Sequence, residues 1–134
     1  MMQFIKIYIP TLVVFLAIDA VWLTLIAKNF YTKYIGHLMS AQPNLIPALI
    51  FYLLYIVGLV IFVIQPALEQ DSLMKVLALG ALFGLCAYAT YDLTNVATLK
   101  NWPYIVVFVD LAWGMTVTTI VSVAGFYIAK WMGV

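Results

Sequence analysis

Residues 7–27 read IYIPTLVVFLAIDAVWLTLIA, an apolar stretch that contains a single charged residue, Asp19. About 20 apolar residues in a helix are enough to cross the hydrocarbon layer of a membrane. Three further stretches of this kind follow, at about residues 45–64, 73–96 and 104–128. The pattern therefore predicts four transmembrane helices.

The composition of the chain supports this interpretation. Of its 134 residues, 67% are hydrophobic and 8% are charged, whereas soluble domains carry about a quarter charged residues. The length leaves room for four spans and short links, so we expect a single integral-membrane domain over residues 1–134. The predicted fold class is an all-α membrane protein, built as a four-transmembrane-helix bundle.

The sequence of the link between the first and second spans predicts a shorter helix there. Apolar residues recur there at helical spacing, opposite a side that carries Thr32, Lys33 and His37. The apolar residues are Phe30, Tyr31, Tyr34, Ile35 and Leu38. This pattern is typical of an amphipathic helix that lies in the interface of the membrane. We therefore expect a short interfacial helix at this position.

Three aspartates lie inside the predicted spans: Asp19, Asp92 and Asp110. A charged side chain in hydrocarbon is costly, so it normally faces a partner or a water-filled cavity. Because consecutive spans alternate in direction, all three acids fall in the half of the membrane next to the 1–2 and 3–4 links. Three carboxylates close together in a low dielectric cannot all be ionised without partners, which implies a proton or a cation.

Aromatic and polar residues gather in the same half, while the other half is almost wholly aliphatic. The candidate pocket residues are Asp19, Trp22, Tyr88, Tyr91, Asp92, Asn95, Asp110 and Trp113. The asymmetry predicts a polar pocket that is open to one face of the membrane and closed toward the other. In the structural alternative, lysines at the rim neutralise the acids, and the aromatic and amide groups hold them by hydrogen bonds.

Helix 3 also carries Gly80 and Gly84, one turn apart. Small residues at this spacing let the backbone of another helix come close. We expect both glycines to be helix-packing positions, and a homodimer is one form that this packing could take.

Composition and motifs also exclude several classes of site. The chain has six lysines and no arginine, so it offers no basic patch for nucleic acid. One histidine and one cysteine argue against a transition-metal site, although the three aspartates could hold a hard cation. No Ser-His-Asp order, P-loop or dinucleotide fingerprint is present. The sequence predicts no cofactor and identifies no catalytic residue.

The lysines leave the orientation in the membrane open. Three lie on the side of the termini and three on the pocket side, namely Lys6, Lys75 and Lys130 against Lys28, Lys33 and Lys100. The positive-inside rule therefore gives a tie. Both orientations, and a mixture of the two, are compatible with the sequence.

Several motifs in the chain resemble a known family. They include Phe15-x-x-x-Asp19-x-x-Trp22, Ala87-Tyr-Ala-Thr-Tyr-Asp-Leu-Thr-Asn95, Trp102-Pro103 and Asp110-Leu-Ala-Trp-Gly114. They resemble, over nearly the whole chain, a family of small bacterial membrane proteins named domain of unknown function 2177. The resemblance implies a four-span protein of the bacterial inner membrane. It carries no activity, so it transfers no catalytic role to any residue.

Three functions stay open on the sequence. The first is proton- or cation-linked binding and transport of a small or lipid-like molecule, for which a homodimer would provide alternating access. The second is a membrane enzyme in which aspartates supply acid and base chemistry on a lipid or isoprenoid chain. The third is an accessory membrane subunit in which the acids are structural. Because three acids fall in one half of the membrane, we expect the first.

Overall fold

The structure, a computed structural model, describes residues 1–134 and contains helices but no strands. The helices are α1 (Met2–Ile26), α2 (Lys28–Ile35), α3 (Leu45–Glu69), α4 (Leu73–Thr98) and α5 (Tyr104–Trp131). All but α2 are long and apolar enough to cross a membrane. A short 3-10 turn, Gly36–Leu38, extends α2. The predicted fold class, a four-helix bundle with a short interfacial helix, is confirmed.

Polar side chains begin two of the long helices. The side chain of Asn44 accepts a hydrogen bond from the backbone N–H of Ile46 at 3.1 Å, at the start of α3. Ser72 accepts one from the backbone N–H of Lys75 at 3.0 Å, at the start of α4. Both side chains satisfy N–H groups that have no partner within the helix. These caps fix where α3 and α4 start.

The end of α3 differs from the prediction. The sequence places the end of this span at about Ile64, before Gln65-Pro66, but the helix continues to Glu69. Val60–Ile64 form a π-helical turn directly before Pro66. A π turn is wider than an α turn and changes the hydrogen-bond pattern. The helix can therefore continue through a proline that would otherwise break it.

The four long helices form a ring in the order α3, α1, α5, α4. The closest packing is between α4 and α5, and α1 packs against the other side of α5. α3 contacts α1, but it approaches α4 mainly along its π-helical segment, Val60–Ile64. The seam between α3 and α4 is therefore closed in the half of the bundle near the termini and open in the other half.

Glycines bring α4 and α5 together. A Cβ atom added at Gly80 would lie 3.2 Å from the Cα atom of Thr119, and one added at Gly84 would overlap the carbonyl group of Gly114. Gly114 of α5 likewise leaves space on its own side, which the ring of Tyr88 of α4 fills. Gly80 and Gly84 are thus helix-packing positions inside this chain. Because α5 covers both, they do not form a free face for a homodimer.

A continuous apolar core fills the half of the bundle near the termini. Its fully buried members include Ile7, Ile56, Leu59, Ile64, Val117 and Val121. These side chains come from α1, α3 and α5. They close the bundle at this end, which leaves the opposite half as the place for a site.

Candidate functional site

The half of the bundle next to α2 contains a cavity of about 730 Å³. Cavities of this size typically hold small-molecule ligands. Its polar and aromatic lining residues are Asp19, Trp22, Tyr31, Phe51, Tyr52, Tyr88, Thr90, Tyr91, Asp110 and Trp113. No lysine, arginine or histidine lines it. The wall is therefore aromatic and carries two acids without a basic partner.

Asp19 presents a free carboxylate oxygen to this cavity. It lies about 7.5 Å past the middle of α1, at 1.5 Å per residue, and is 7% exposed. Its Oδ2 accepts a hydrogen bond from the hydroxyl of Tyr52 at 3.0 Å, whereas its Oδ1 has no hydrogen bond within the chain. The indole N–H of Trp113 lies beside the carboxyl group but lacks the geometry of a hydrogen bond.

Asp110 connects α5 to α2. The hydroxyl of Tyr31 donates a hydrogen bond to Asp110 Oδ1 and accepts one from Trp22 Nε1 at 3.3 Å. Burial raises the pKa of Tyr31 above the usual value for a phenol, and the hydrogen bond to Asp110 and its negative charge raise it further. The hydroxyl of Tyr31 therefore stays protonated around neutral pH and remains a donor.

Asp92 lies behind Asp110, outside the cavity lining. It is fully buried, and its Oδ1 accepts a hydrogen bond from Trp102 Nε1 at 3.4 Å. Its Oδ2 has no partner, and its carboxyl group faces that of Asp110. Two ionised carboxylates in contact would repel each other, whereas one shared proton would join them by a hydrogen bond.

The structure brings most of the candidate pocket residues to one wall. Asp19, Trp22, Tyr88, Tyr91, Asp110 and Trp113 line the cavity, and Asp92 and Asn95 do not. The rings of Trp22 and Trp113 stack with centroids 4.1 Å apart and planes 7° from parallel. Asn95 lies one turn beyond Tyr91 on α4, beside its hydroxyl.

Sequence reasoning missed the two tyrosines that bind the acids, Tyr31 and Tyr52. The sequence pattern places Tyr31 on the apolar face of the interfacial helix and indicates no role for Tyr52. Tyr52 lies about 7.5 Å past the middle of α3 on the cavity side, at the same depth as Asp19. A search for hydroxyl donors at the depth of each acid would have found it.

The three aspartates do not meet at one point. Asp92 and Asp110 face each other, whereas Asp19 pairs with Tyr52 on another part of the wall. No group of three histidine, cysteine, aspartate or glutamate side chains could hold a metal ion. The hard-cation site that uses all three acids is therefore not formed.

Comparison with known proteins gives the family and nothing beyond it. A family model described as "Predicted membrane protein (DUF2177)" matches residues 4–127. This range contains all three buried aspartates and nearly all of the four long helices. No curated protein and no solved structure matches the chain. The chain therefore belongs to the DUF2177 family of predicted membrane proteins, as the motifs around Asp19, Asp92 and Asp110 predict.

Proposed function

We propose that the chain is a binding and transport unit of the bacterial inner membrane, in which binding of a small or lipid-like molecule is linked to protonation of the buried acids. One observation carries this proposal: the cavity between the long helices has Asp19 and Asp110 in its wall and no basic side chain. Packing alone does not account for a carboxyl group at this depth, because its charge is costly in hydrocarbon.

The link to protons follows from the environment of the acids. An empty apolar cavity favours the neutral form of a carboxyl group, whereas a cation or a hydrogen-bond donor beside it favours the ionised form. A cationic or hydrogen-bond-donating ligand that enters the cavity would therefore release a proton from Asp19 or from the pair Asp92 and Asp110. Asp92, which faces Asp110 from behind, extends the same proton-binding system.

A binding experiment with chemically matched probes tests this function. The protein in lipid nanodiscs is titrated with decyltrimethylammonium, decanol and decanoate, which share an apolar tail and differ in the head. The tryptophan fluorescence of the protein, to which the stacked pair Trp22 and Trp113 at the cavity contributes, reports on occupancy. We expect saturable binding of at least one probe, with an affinity that depends on pH.

Variants of the two cavity acids complete the test. Asp19→Asn and Asp110→Asn should reduce the pH dependence of binding, whereas Glu69→Gln, which removes one acid at the other end of the bundle, should leave it unchanged. In proteoliposomes, a pH gradient should drive accumulation of the bound probe. Absence of saturable binding by all three probes, or an unchanged pH dependence in both cavity variants, would contradict the proposal.

A further inference from the structure

We infer that the ligand is an amphiphilic cation, with an amine or quaternary ammonium head and an apolar tail, and that it reaches the cavity sideways through the open seam between α3 and α4. This inference rests on the proposed function and adds the chemical class of the ligand and its route. Three features of the structure support it: the charge of the wall, its aromatic faces and the shape of the seam.

The charge of the wall favours a cation. Asp19 and Asp110 are each more than nine-tenths buried at the cavity, and Oδ1 of Asp19 has no hydrogen-bond partner. The lysines on this side of the bundle, Lys28, Lys33 and Lys100, are exposed and do not line the cavity. A carboxylate or phosphate head would meet two acids and no cation. A positive head would supply the charge that the wall lacks.

The hydrogen-bonding groups of the wall point to the same class. The hydroxyl groups of Tyr31 and Tyr52 already donate to Asp110 and Asp19, so they are not free to hold an anion. The donors that remain are neutral groups, among them the hydroxyl of Tyr88 and the indole N–H of Trp113, which lies beside Asp19. What the wall does offer is aromatic faces, and these attract ammonium groups, most strongly in sites without water.

The seam gives room for an apolar tail. Toward the termini, the ring of Phe83 on α4 closes the seam. The centroid of this ring lies 5.8 Å from that of Tyr55 and 6.4 Å from that of Phe62, both on α3. On the other side of Phe83, Phe51 of α3 and Tyr91 of α4 line the cavity and are 48% and 53% exposed. The cavity therefore reaches the side of the bundle between these two residues.

The end of the cavity that faces the links is covered. Tyr31 and Ile35 of α2, together with Met39, line the cavity there. The hydrogen bonds of Tyr31 to α1 and α5 hold α2 in this position. A molecule dissolved in the membrane can thus reach the acids through the seam, while the direct route from water passes α2. A tail that remains in the seam would contact apolar surface and stay in hydrocarbon.

The matched probes test the class of the ligand. We expect decyltrimethylammonium to bind at least tenfold more tightly than decanol or decanoate, with concentrations expressed per lipid. This probe has no titratable proton, so its pH dependence belongs to the protein, and binding should weaken as the pH falls and the acids become neutral. Tetramethylammonium, which has the head without the tail, should bind at least tenfold more weakly.

Asp19→Asn should weaken binding of the cation about tenfold, as expected for the loss of a charge-assisted contact, and should leave the affinity for decanol unchanged.

The outcomes separate this inference from the proposed function. If decanol or decanoate binds as tightly as the cation, with a pH-dependent affinity, the class of ligand is wrong while the function stands. If no probe binds in a saturable way, the function itself fails. Equal weakening of the cation and of decanol by Asp19→Asn would also overturn the role of this acid in recognising charge.

The route is tested by filling the seam. Ala87 lines the cavity on α4, and Ala87→Trp should slow binding of the cation about tenfold. Ala97→Trp is the matched control, since Ala97 lies on the same helix, is exposed and does not line the cavity. Ala48→Phe fills the seam from α3 and replaces the first variant if that one does not fold. Equal rates in the filled variants and the control would overturn access through the seam.

Discussion

Replacing Tyr31 with phenylalanine should loosen α2 from the bundle without changing the packing of its ring. The hydroxyl of Tyr31 donates to Asp110 and accepts from Trp22. The ring itself packs against Phe30, in a small cluster around Trp102. The substitution keeps the ring and removes only the two polar contacts. It therefore isolates the contribution of the hydroxyl group to the position of α2.

The structure gives the size of the effect. A hydrogen bond to a charged group contributes about 1.5–3 kcal/mol, and the longer bond from Trp22 contributes about 0.5 kcal/mol. Because Tyr31 is only partly buried, water replaces part of both contacts in the variant, and we take about 2 kcal/mol for the hydroxyl. At about 1.36 kcal/mol for each factor of ten, opening of α2 should become about 30-fold more frequent.

Hydrogen exchange of the backbone amides in residues 28–38, measured in nanodiscs, checks this value. Tyr34→Phe is the matched control, because the ring of Tyr34 also packs against Phe30, with centroids 5.1 Å apart, while its hydroxyl makes no hydrogen bond. We expect faster exchange in Tyr31→Phe and unchanged exchange in Tyr34→Phe. Since the pKa of Tyr31 is raised, the difference between the variant and the wild type should persist from about pH 6 to about pH 9. Wild-type protection in Tyr31→Phe would refute the reasoning.

Two further predictions concern stability. Gly84→Ala should lower the free energy of unfolding by about 1–3 kcal/mol, because the new methyl group would overlap the backbone of Gly114 and overpacking has this cost. Gly36→Ala is the control, since its methyl group would meet only the side chain of Thr32. Equal melting temperatures for the two variants would contradict the prediction. Asn44→Ala should lower the free energy of unfolding by about 1 kcal/mol through loss of the cap of α3, and Asn44→Ser should recover most of this loss. An unchanged melting temperature for Asn44→Ala would count against the cap.

Hydropathy was enough to predict the fold class, because each span must bury its own backbone hydrogen bonds in a helix of fixed length. The fixed rise per residue of a helix also predicts that Asp19, Asp92 and Asp110 lie in one half of the bundle, since depth follows from the position along each helix. The end of α3 could not be predicted in this way. Pro66 is a strong stop signal, but the helix continues through it, with a π-helical turn at Val60–Ile64 directly before the proline.

The partners of the acids could not be predicted from depth alone. Depth says how far along a helix a side chain lies, but not which helices are neighbours around the ring. The sequence pattern puts Asp92 on one face of α4 with Tyr88 and Tyr91. In the structure, the close packing of α4 on α5 directs the carboxyl group of Asp92 toward Asp110 and away from the cavity. In the same way, the contact between Tyr31 and Asp110 depends on how α2 folds back over α5.

The unsatisfied groups of the site weigh against a purely structural role for the acids. Acids that only hold the bundle together should have all their oxygens bonded, because an unpaired buried polar group costs about 1–3 kcal/mol. Here Oδ1 of Asp19 faces the cavity without a hydrogen bond, and the indole N–H of Trp113 beside it is buried without one. Selection for stability alone would pair Oδ1 of Asp19, whereas here this oxygen is left free at the cavity, where a ligand with a positive head would supply its partner.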